Sequence, residues 1–177
     1  GWPLNAELVA EAVRRCWKRG DWQGAKRLAR DLVQAQPSRG DSWLLLGATL
    51  QDMGELQEAD EALANAHELD PGLIDAMFRR AQIQRGWERF VGARWLLEMV
   101  LDQAPDHAIA QDLMAQVLLD LGETLAARRV LVRRLRQHRN AVDLRRLLAV
   151  AQWRRGRLQI AQRTLCLLYT SPSPRDP

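Results

Sequence analysis

The chain has 177 residues, of which 47% are apolar, and it carries a formal net charge of +4. This length and apolar content suffice for one domain or for an array of small repeats. Leu, Ala, Arg and Gln are abundant while Val, Ile and Thr are sparse, which favours helices throughout. The sequence lacks any run of about 18 apolar residues, so its composition excludes a membrane-spanning helix.

The N-terminal sequence is GWPL, without a Met and without a basic stretch followed by an apolar leader. We expect residues 1–5 to be the edge of a fragment, and a lost leader is left open. The two cysteines, Cys16 and Cys166, are too far apart for zinc-ligand spacing or a disulfide framework. A reduced compartment is compatible with this usage. A cytoplasmic location is therefore favoured, and export is left open.

A period of 34 residues runs through the chain without a slip. It divides the sequence into four full blocks, a shorter fifth block and a tail. The four full blocks are residues 6–39, 40–73, 74–107 and 108–141, the truncated fifth is 142–165, and the tail is 166–177.

Four positions of the period keep one kind of residue, and each has a physical reason. The twentieth is Ala in all five blocks and the eighth is small in four of five, which lets two helices approach closely. The fifteenth is Gly except at Glu88, as suits the positive φ of a helix end. The thirty-second is Pro in the first three blocks and ends the second helix. Each block therefore predicts a helix–turn–helix.

The second block, DSWLLLGATLQDMGELQEADEALANAHELDP, resembles a tetratricopeptide repeat. The matching positions are Trp43, Leu46, Gly47, Leu50, Gly54, Ala59, Leu63, Ala66 and Pro71. The third block departs from the pattern at Arg80 and at Gly86, which arrives two residues early, and the position of Trp43 degenerates towards the C-terminus. The resemblance implies an all-α fold. This is an α-solenoid of about five antiparallel helix–turn–helix repeats in a right-handed superhelix, whose first helices line a concave groove.

The same resemblance implies which side chains face that groove and that they bind a protein or peptide partner. The expected groove residues are Arg14, Trp17, Leu44, Leu45, Phe78, Arg79, Gln82, Arg85, Asp112 and Gln116. The asparagines with which some family members hold a terminal carboxylate are absent here. An apolar middle beside arginines suits a helical or extended peptide that carries an acidic residue. The alternative is that these side chains only pack between blocks.

No pattern in the sequence predicts catalysis, a cofactor or a metal. The repeat region has no Gly-x-Ser-x-Gly turn and no glycine-rich phosphate loop. Its histidines, His67, His107 and His138, lie near the ends of second helices and lack the ligand pairs of a zinc site. An acidic cluster over residues 52–61 lacks calcium-loop spacing, and we expect it to be a solvated face. We therefore predict that this fragment is not an enzyme.

Charge is distributed unevenly along the blocks. Residues 40–73 contain eight acidic and no basic residues, whereas residues 108–165 contain twelve arginines and four acidic residues. The basic end predicts an anionic partner, such as an acidic peptide, through groove positions Arg146 and Arg154. The alternative is a solvated helical surface. Nucleic acid is disfavoured because aromatic residues do not alternate with the arginines.

The C-terminal string CLLYTSPSPRD, residues 166–176, resembles the one-frame translation of a transposon-based sequencing adapter. We therefore expect a non-native tail on a fragment of a larger, bacterial, metagenomic protein. Because CLLY is apolar, we expect the last helix to run to about Tyr169 before the prolines end it.

Three functional hypotheses share this array. The first is a non-catalytic scaffold for protein–protein interaction. The second is the regulatory or substrate-presenting repeats of a glycosyltransferase or sulfotransferase, and the third is part of a polysaccharide-export protein. Only the flanking sequence separates them, and the sequence leaves the oligomeric state open.

Overall fold

The structure of the protein is a computed structural model that describes residues 6–137 and 141–169. These residues form α-helices joined by short turns, in two compact units, unit 1 (Gly1–Arg89) and unit 2 (Phe90–Pro177). The expectations for residues 1–5, for His138 and for residues 170–177 fall outside the described residues. The predicted all-α fold of antiparallel helix–turn–helix repeats is confirmed.

Unit 1 contains two helical hairpins and one further helix. The short turn within each hairpin makes its two helices antiparallel neighbours. The five helices are α1 (Ala6–Arg19), α2 (Trp22–Ala35), α3 (Gly40–Asp52), α4 (Leu56–Leu69) and α5 (Ile74–Gly86).

Unit 2 contains one helix followed by two helical hairpins. The helices are α6 (Phe90–Gln103), α7 (Ala108–Asp120), α8 (Thr124–Gln137), α9 (Val142–Arg154) and α10 (Leu158–Tyr169). Helix α10 is described as far as Tyr169, the residue at which the sequence predicts its end. In both units, each odd-numbered helix begins at the first residue of a 34-residue block.

The small-residue positions of the repeat lie in the cores of the units. All five alanines at the twentieth position are buried, and so are all five residues at the eighth. One close approach is at Gly47 on α3, where a Cβ atom would lie 2.6 Å from Cγ of Leu63 on α4. A Cβ atom at Gly47 would force Leu63 to shift, so the close packing of these two helices favours glycine at that point.

The fifteenth position of every block has a positive φ, as the sequence predicts for glycine. Gly20, Gly54, Gly122 and Gly156 have φ between 71° and 81°. In the third block the same conformation falls on Glu88, with φ of 59°, although Gly86 lies two residues before it. The turn geometry is therefore fixed by the repeat and not by where glycine happens to stand. Glu88 consequently adopts a backbone conformation that costs a residue with a Cβ about 1 kcal/mol.

A hydrogen bond from the first helix to the preceding proline recurs in two blocks with different donors. The indole Nε1 of Trp43 donates to the carbonyl oxygen of Pro37 at 2.8 Å. Two blocks later, the amide Nε2 of Gln111 donates to the carbonyl oxygen of Pro105. The position of Trp43 in the repeat thus still supplies a hydrogen-bond donor in the fourth block, where Gln111 replaces the aromatic residue.

Each unit has its own apolar core between its helices. In unit 1, Val13, Leu46, Leu50 and Leu63 are among the buried residues, and the half-buried Cys16 packs against them. In unit 2, a smaller cluster joins α7, α8 and α9 through Ala115, Leu131, Leu144 and Leu148. The cores hold the first helices of the blocks in register, and those helices carry the candidate site.

Candidate peptide-binding cleft

A cleft of about 700 Å³ lies in unit 1 along the first helices of its three blocks. It takes most of its lining from α1, α3 and α5, with Leu32 of α2 and Arg39 at one side. The residues from the first helices are Glu7, Ala10, Glu11, Arg14, Trp17, Asp41, Ser42, Leu44, Leu45, Ala48, Asp75 and Arg79.

The apolar part of the cleft is formed by Trp17, Leu44 and Leu45, which are all half-buried. The indole Nε1 of Trp17 donates a hydrogen bond of 3.2 Å to Oγ1 of Thr49, which is fully buried. The Thr49 hydroxyl in turn donates to the carbonyl oxygen of Leu45 at 2.8 Å. This chain of hydrogen bonds fixes the indole of Trp17 on α1 against α3 and so orients the apolar part of the cleft.

A second set of hydrogen bonds joins α3 to α5 at the other side of the cleft. Nη1 of Arg79 donates to Oε1 of Gln51 at 3.0 Å, and Nε2 of Gln51 donates to Oε1 of Gln82 at 3.2 Å. Arg79 also pairs with Asp75 one turn earlier, at 3.0 Å from Nε to Oδ2. The guanidinium is therefore oriented by two partners, while its side chain remains 27% exposed.

The charges that line the cleft are close to balanced. Arg14 lies 3.6 Å from a carboxylate oxygen of Glu11, and Arg39 lies 3.1 Å from Asp41. With the pair formed by Arg79, each of the three cleft arginines thus has an acidic neighbour. Such a surface offers hydrogen-bonding groups around an apolar floor and has no strong preference for an acidic ligand.

The structure brings together five of the predicted groove residues and separates the others from them. Arg14, Trp17, Leu44, Leu45 and Arg79 line the cleft. The remaining three predicted residues of unit 1 lie elsewhere on α5. Gln82 is linked to the cleft only through Gln51, Arg85 is half-buried outside the lining, and Phe78 is 8% exposed.

The burial of Phe78 corrects the expectation that its ring is exposed in the groove. Phe78 follows the fully buried Met77 and Ala76 on α5, and this part of the helix faces the interior. The ring therefore contributes to packing, and Ala in its place would disturb the fold together with any binding. The apolar part of the cleft comes instead from the residues of α1 and α3.

The two predicted groove residues of unit 2 lie on α7. Asp112 accepts two hydrogen bonds from Arg134 of α8, from Nε at 2.8 Å and from Nη2 at 3.2 Å. The hydrogen bond to Asp112 raises the pKa of the Arg134 guanidinium. Arg134 is buried, with 6% of its surface exposed. Gln116 is half-buried four residues further along α7. Asp112 is thus engaged in holding α7 to α8.

The predicted anionic-partner patch, Arg146 and Arg154, also has partners within the protein. Arg146 lies 3.8 Å from the carboxylate of Asp143, and both side chains are well exposed. The guanidinium of Arg154 donates to the carbonyl oxygen of Leu119. Beside it, the ring of Trp153 is 62% exposed.

The acidic cluster of the second block is more engaged than a solvated face. Glu55 pairs with Lys26, Glu58 lies 2.8 Å from Arg30, and Asp60 lies 3.0 Å from Arg80. Over residues 6–137 and 141–169, no three His, Cys, Asp or Glu side chains are placed to hold a metal ion. Within the same residues, every helix is too short or too polar to cross a membrane.

Sequence reasoning missed the part of the cleft rim that lies outside the family's groove positions. Glu11, Arg39 and Asp41 line the cleft although only their charge distinguishes them in the sequence. Only the position of Glu11 could be predicted, because it lies three residues before Arg14 on one helix and the two side chains therefore meet. Arg39 precedes α3, and its position depends on how the chain turns after Pro37.

The helical hairpins of both units, and the cleft along the first helices of unit 1, define a helical-repeat protein. A profile of the tetratricopeptide repeat family matches residues 11–74 and 113–177, and the chain belongs to this family. No curated protein matches the sequence.

Solved structures resemble the chain at low sequence identity. MamA residues 41 to the end from Desulfovibrio magneticus RS-1 has a TM-score of 0.87 and 18% identity, over 96% of this chain and 94% of that one. A crystal structure of MamA has a TM-score of 0.83 and 19% identity, covering 91% and 88%. PilF of Pseudomonas aeruginosa has a TM-score of 0.78 and 17% identity, covering 96% and 78%. At these identities the likeness shows the fold.

Proposed function

We propose that this part of the chain is a non-catalytic scaffold that binds a peptide segment of a partner protein in the cleft along α1, α3 and α5. The observation that carries the proposal is the apolar floor of Trp17, Leu44 and Leu45 between polar side chains that hydrogen bonds orient. Concave surfaces with an apolar floor and a few fixed polar groups are where proteins bind extended or helical peptides.

The ligand is expected to combine an apolar anchor with polar groups and to be close to neutral. Leu44 and Leu45 offer the anchor its contact area, and the ordered guanidinium of Arg79 offers donors to a carbonyl or carboxylate. Because the cleft arginines already have acidic neighbours, a strongly acidic peptide would gain little here. The acidic partner predicted from the sequence is therefore not what this cleft fits best.

The experiment is a selection of random peptides displayed on phage against the whole chain. It is followed by affinity measurements on an enriched peptide by fluorescence anisotropy. Leu44→Ala in the cleft is compared with Leu28→Ala, which removes the same atoms from a half-buried leucine on α2 that packs on the same core. Arg79→Ala is compared with Arg30→Ala, an exposed arginine of α2 that is also in an ion pair.

We expect Leu44→Ala and Arg79→Ala each to weaken binding about tenfold, as substitutions at the centre of an interface do. The two control variants should bind as the unaltered chain does. Equal losses in the cleft and control variants, or no enriched peptide at all, would refute the proposal. Circular dichroism of every variant separates lost binding from lost fold.

A further inference from the structure

A second cleft, of about 720 Å³, lies in unit 2 and is lined by four arginines of α8. These residues, Arg128, Arg129, Arg133 and Arg136, are named here the α8 arginines. The rest of its described lining is apolar or amide, from Leu101, Pro105, Gln111, Val130 and Val132, and includes no carboxylate. The cleft thus concentrates positive charge beside an apolar wall.

None of the α8 arginines forms an ion pair or a hydrogen bond with a residue that the structure describes. Their neighbour Arg134 behaves differently, because its guanidinium is buried and holds Asp112 through two hydrogen bonds. One arginine of this helix therefore has a structural role. The other four present guanidinium groups whose donors are available to a ligand.

The 34-residue period shows where this excess charge departs from the rest of the repeat. Lys26 and Glu55 form an ion pair between a second helix and the turn of the following block. Arg94 and Glu123 form the same pair two blocks later, with Nη1 to Oε1 at 2.7 Å. The next equivalent positions after these carry Arg128 and Arg157, which have like charges. Arg157 stands where Glu55 and Glu123 each pair with a basic residue, so Arg128 has no carboxylate at this position.

The spacing of the α8 arginines fits a chain of negative charges better than a single anion. Arg129, Arg133 and Arg136 stand at i, i+4 and i+7, which places them on one face of the helix over about 10 Å. A phosphate ion is contacted by one or two of them. In an extended peptide, every second side chain lies on the same side at intervals of about 7 Å, so alternating carboxylates can reach all three.

The geometry points to a second, separate function for unit 2: the α8 arginines bind an acidic peptide segment whose carboxylates alternate with apolar residues. Arginine pairs with carboxylates through two parallel hydrogen bonds. The apolar residues of the peptide would contact Leu101 and Val132 of the cleft. A nucleic acid is the poorer fit, since no aromatic side chain lines the described cleft for bases to stack on.

The test is a titration of the whole chain with a fluorescein-labelled peptide of alternating Glu and Val. The cleft variant is Arg129→Gln with Arg133→Gln, and both residues are exposed, so that the fold is retained. The matched control is Arg146→Gln with Arg163→Gln, which removes the same charge from exposed arginines of α9 and α10. A peptide of alternating Gln and Val, inorganic phosphate and a single-stranded DNA oligonucleotide serve as competitors.

We expect the cleft variant to bind the acidic peptide about tenfold more weakly than the unaltered chain does. The control variant should bind the peptide almost as the unaltered chain does. Added salt should weaken binding of the peptide to the unaltered chain. The neutral peptide and phosphate should not compete. Equal loss in both variants would mean attraction by net charge alone and would overturn the proposal. Stronger competition by the oligonucleotide would overturn it in favour of nucleic acid.

The outcome is independent of the proposal for unit 1. A peptide selected for the cleft of α1, α3 and α5 should bind the Arg129→Gln and Arg133→Gln variant with unchanged affinity. If that peptide fails to bind any variant, the unit 1 proposal fails while the acidic-peptide titration still stands. If only the acidic peptide fails to bind, the inference for unit 2 fails alone.

Discussion

The two units share one helical repeat but differ in how their charged side chains are used. In unit 1, partly buried pairs such as Lys26–Glu55 and Arg80–Asp60 tie helices together, and the cleft arginines have acidic neighbours. In unit 2, Arg134 is buried in a pair, whereas the α8 arginines have no partner among the described residues. The difference shows that the fold is set by the small, apolar and turn positions. The charged positions vary between the units, and those without a partner, such as the α8 arginines, remain free to specify ligands.

Helices α3 and α4 of unit 1 meet at Gly47, where there is no room for a Cβ atom, whereas unit 2 has Ala115 and Ala149 at the same position of the repeat. We expect Gly47→Val to lower the free energy of unfolding by about 3 kcal/mol, because its Cβ would overlap Leu63. Urea denaturation followed by circular dichroism measures the change. The control is Gly86→Val, which places the same atoms in open space and should shift the stability by less than about 0.5 kcal/mol.

The contrast within α8 gives the next largest effect. Arg134→Ala should lower the free energy of unfolding by about 2 kcal/mol, since it removes two charge-assisted hydrogen bonds and leaves Asp112 without that partner. Arg133→Ala, one residue away and exposed, should have almost no effect. Similar urea midpoints for the two variants would contradict the division of α8 into one structural arginine and several available ones.

A smaller effect on stability is expected at the turn of the third block, where unit 1 has Glu88 and the next block, in unit 2, has glycine. Glu88 takes the positive φ that Gly122 takes in the following block. Glu88→Gly should therefore raise the free energy of unfolding by about 0.5 kcal/mol, the backbone strain relieved less the flexibility gained by the unfolded chain. Glu88→Ala removes the same carboxylate without relieving the backbone. Equal stabilisation by both variants would show that the turn is unstrained.

A comparably small effect on stability is expected from giving the last two blocks the ion pair that Lys26–Glu55 and Arg94–Glu123 form earlier in the repeat. Arg157→Glu restores the charge order of Lys26–Glu55 and should stabilise the chain by about 0.5 kcal/mol through a pair with Arg128. It should also weaken binding of the acidic peptide, because Arg128 is then occupied. The control is Arg163→Glu, which makes the same charge change on the exposed face of α10. If both variants behaved alike, net charge alone would explain the effect.

The helices and their starting points could be read from the sequence because they depend on positions that tolerate few residue types. Alanine recurs every 34 residues where two helices pack together, and glycine recurs at the same interval where the backbone is left-handed. The glycine pattern does not mark the third turn, because Glu88 takes the left-handed conformation there and the helices on either side impose it. The pattern at the position of Trp43 weakens at Gln111, where an amide replaces the indole of Trp43 as hydrogen-bond donor.

The candidate site was less predictable because it depends on which side chains already have partners. Of the family's groove positions, Trp17, Leu44 and Leu45 line the cleft, whereas Phe78 is buried on α5. The same positions pointed to Arg146 and Arg154 and overlooked the α8 arginines on a second helix. The spacing of Arg129, Arg133 and Arg136 was visible in the sequence. That their donors lack partners emerged only with the fold.

The central claim, that unit 1 binds a peptide along its first helices, is tested most directly by an NMR titration of the isotope-labelled chain with the phage-selected peptide. We predict chemical-shift changes concentrated in α1, α3 and α5, with the indole N–H of Trp17 and the side chain of Arg79 among the most affected. Changes confined to residues outside the cleft, or no saturable change at all, would contradict the claim.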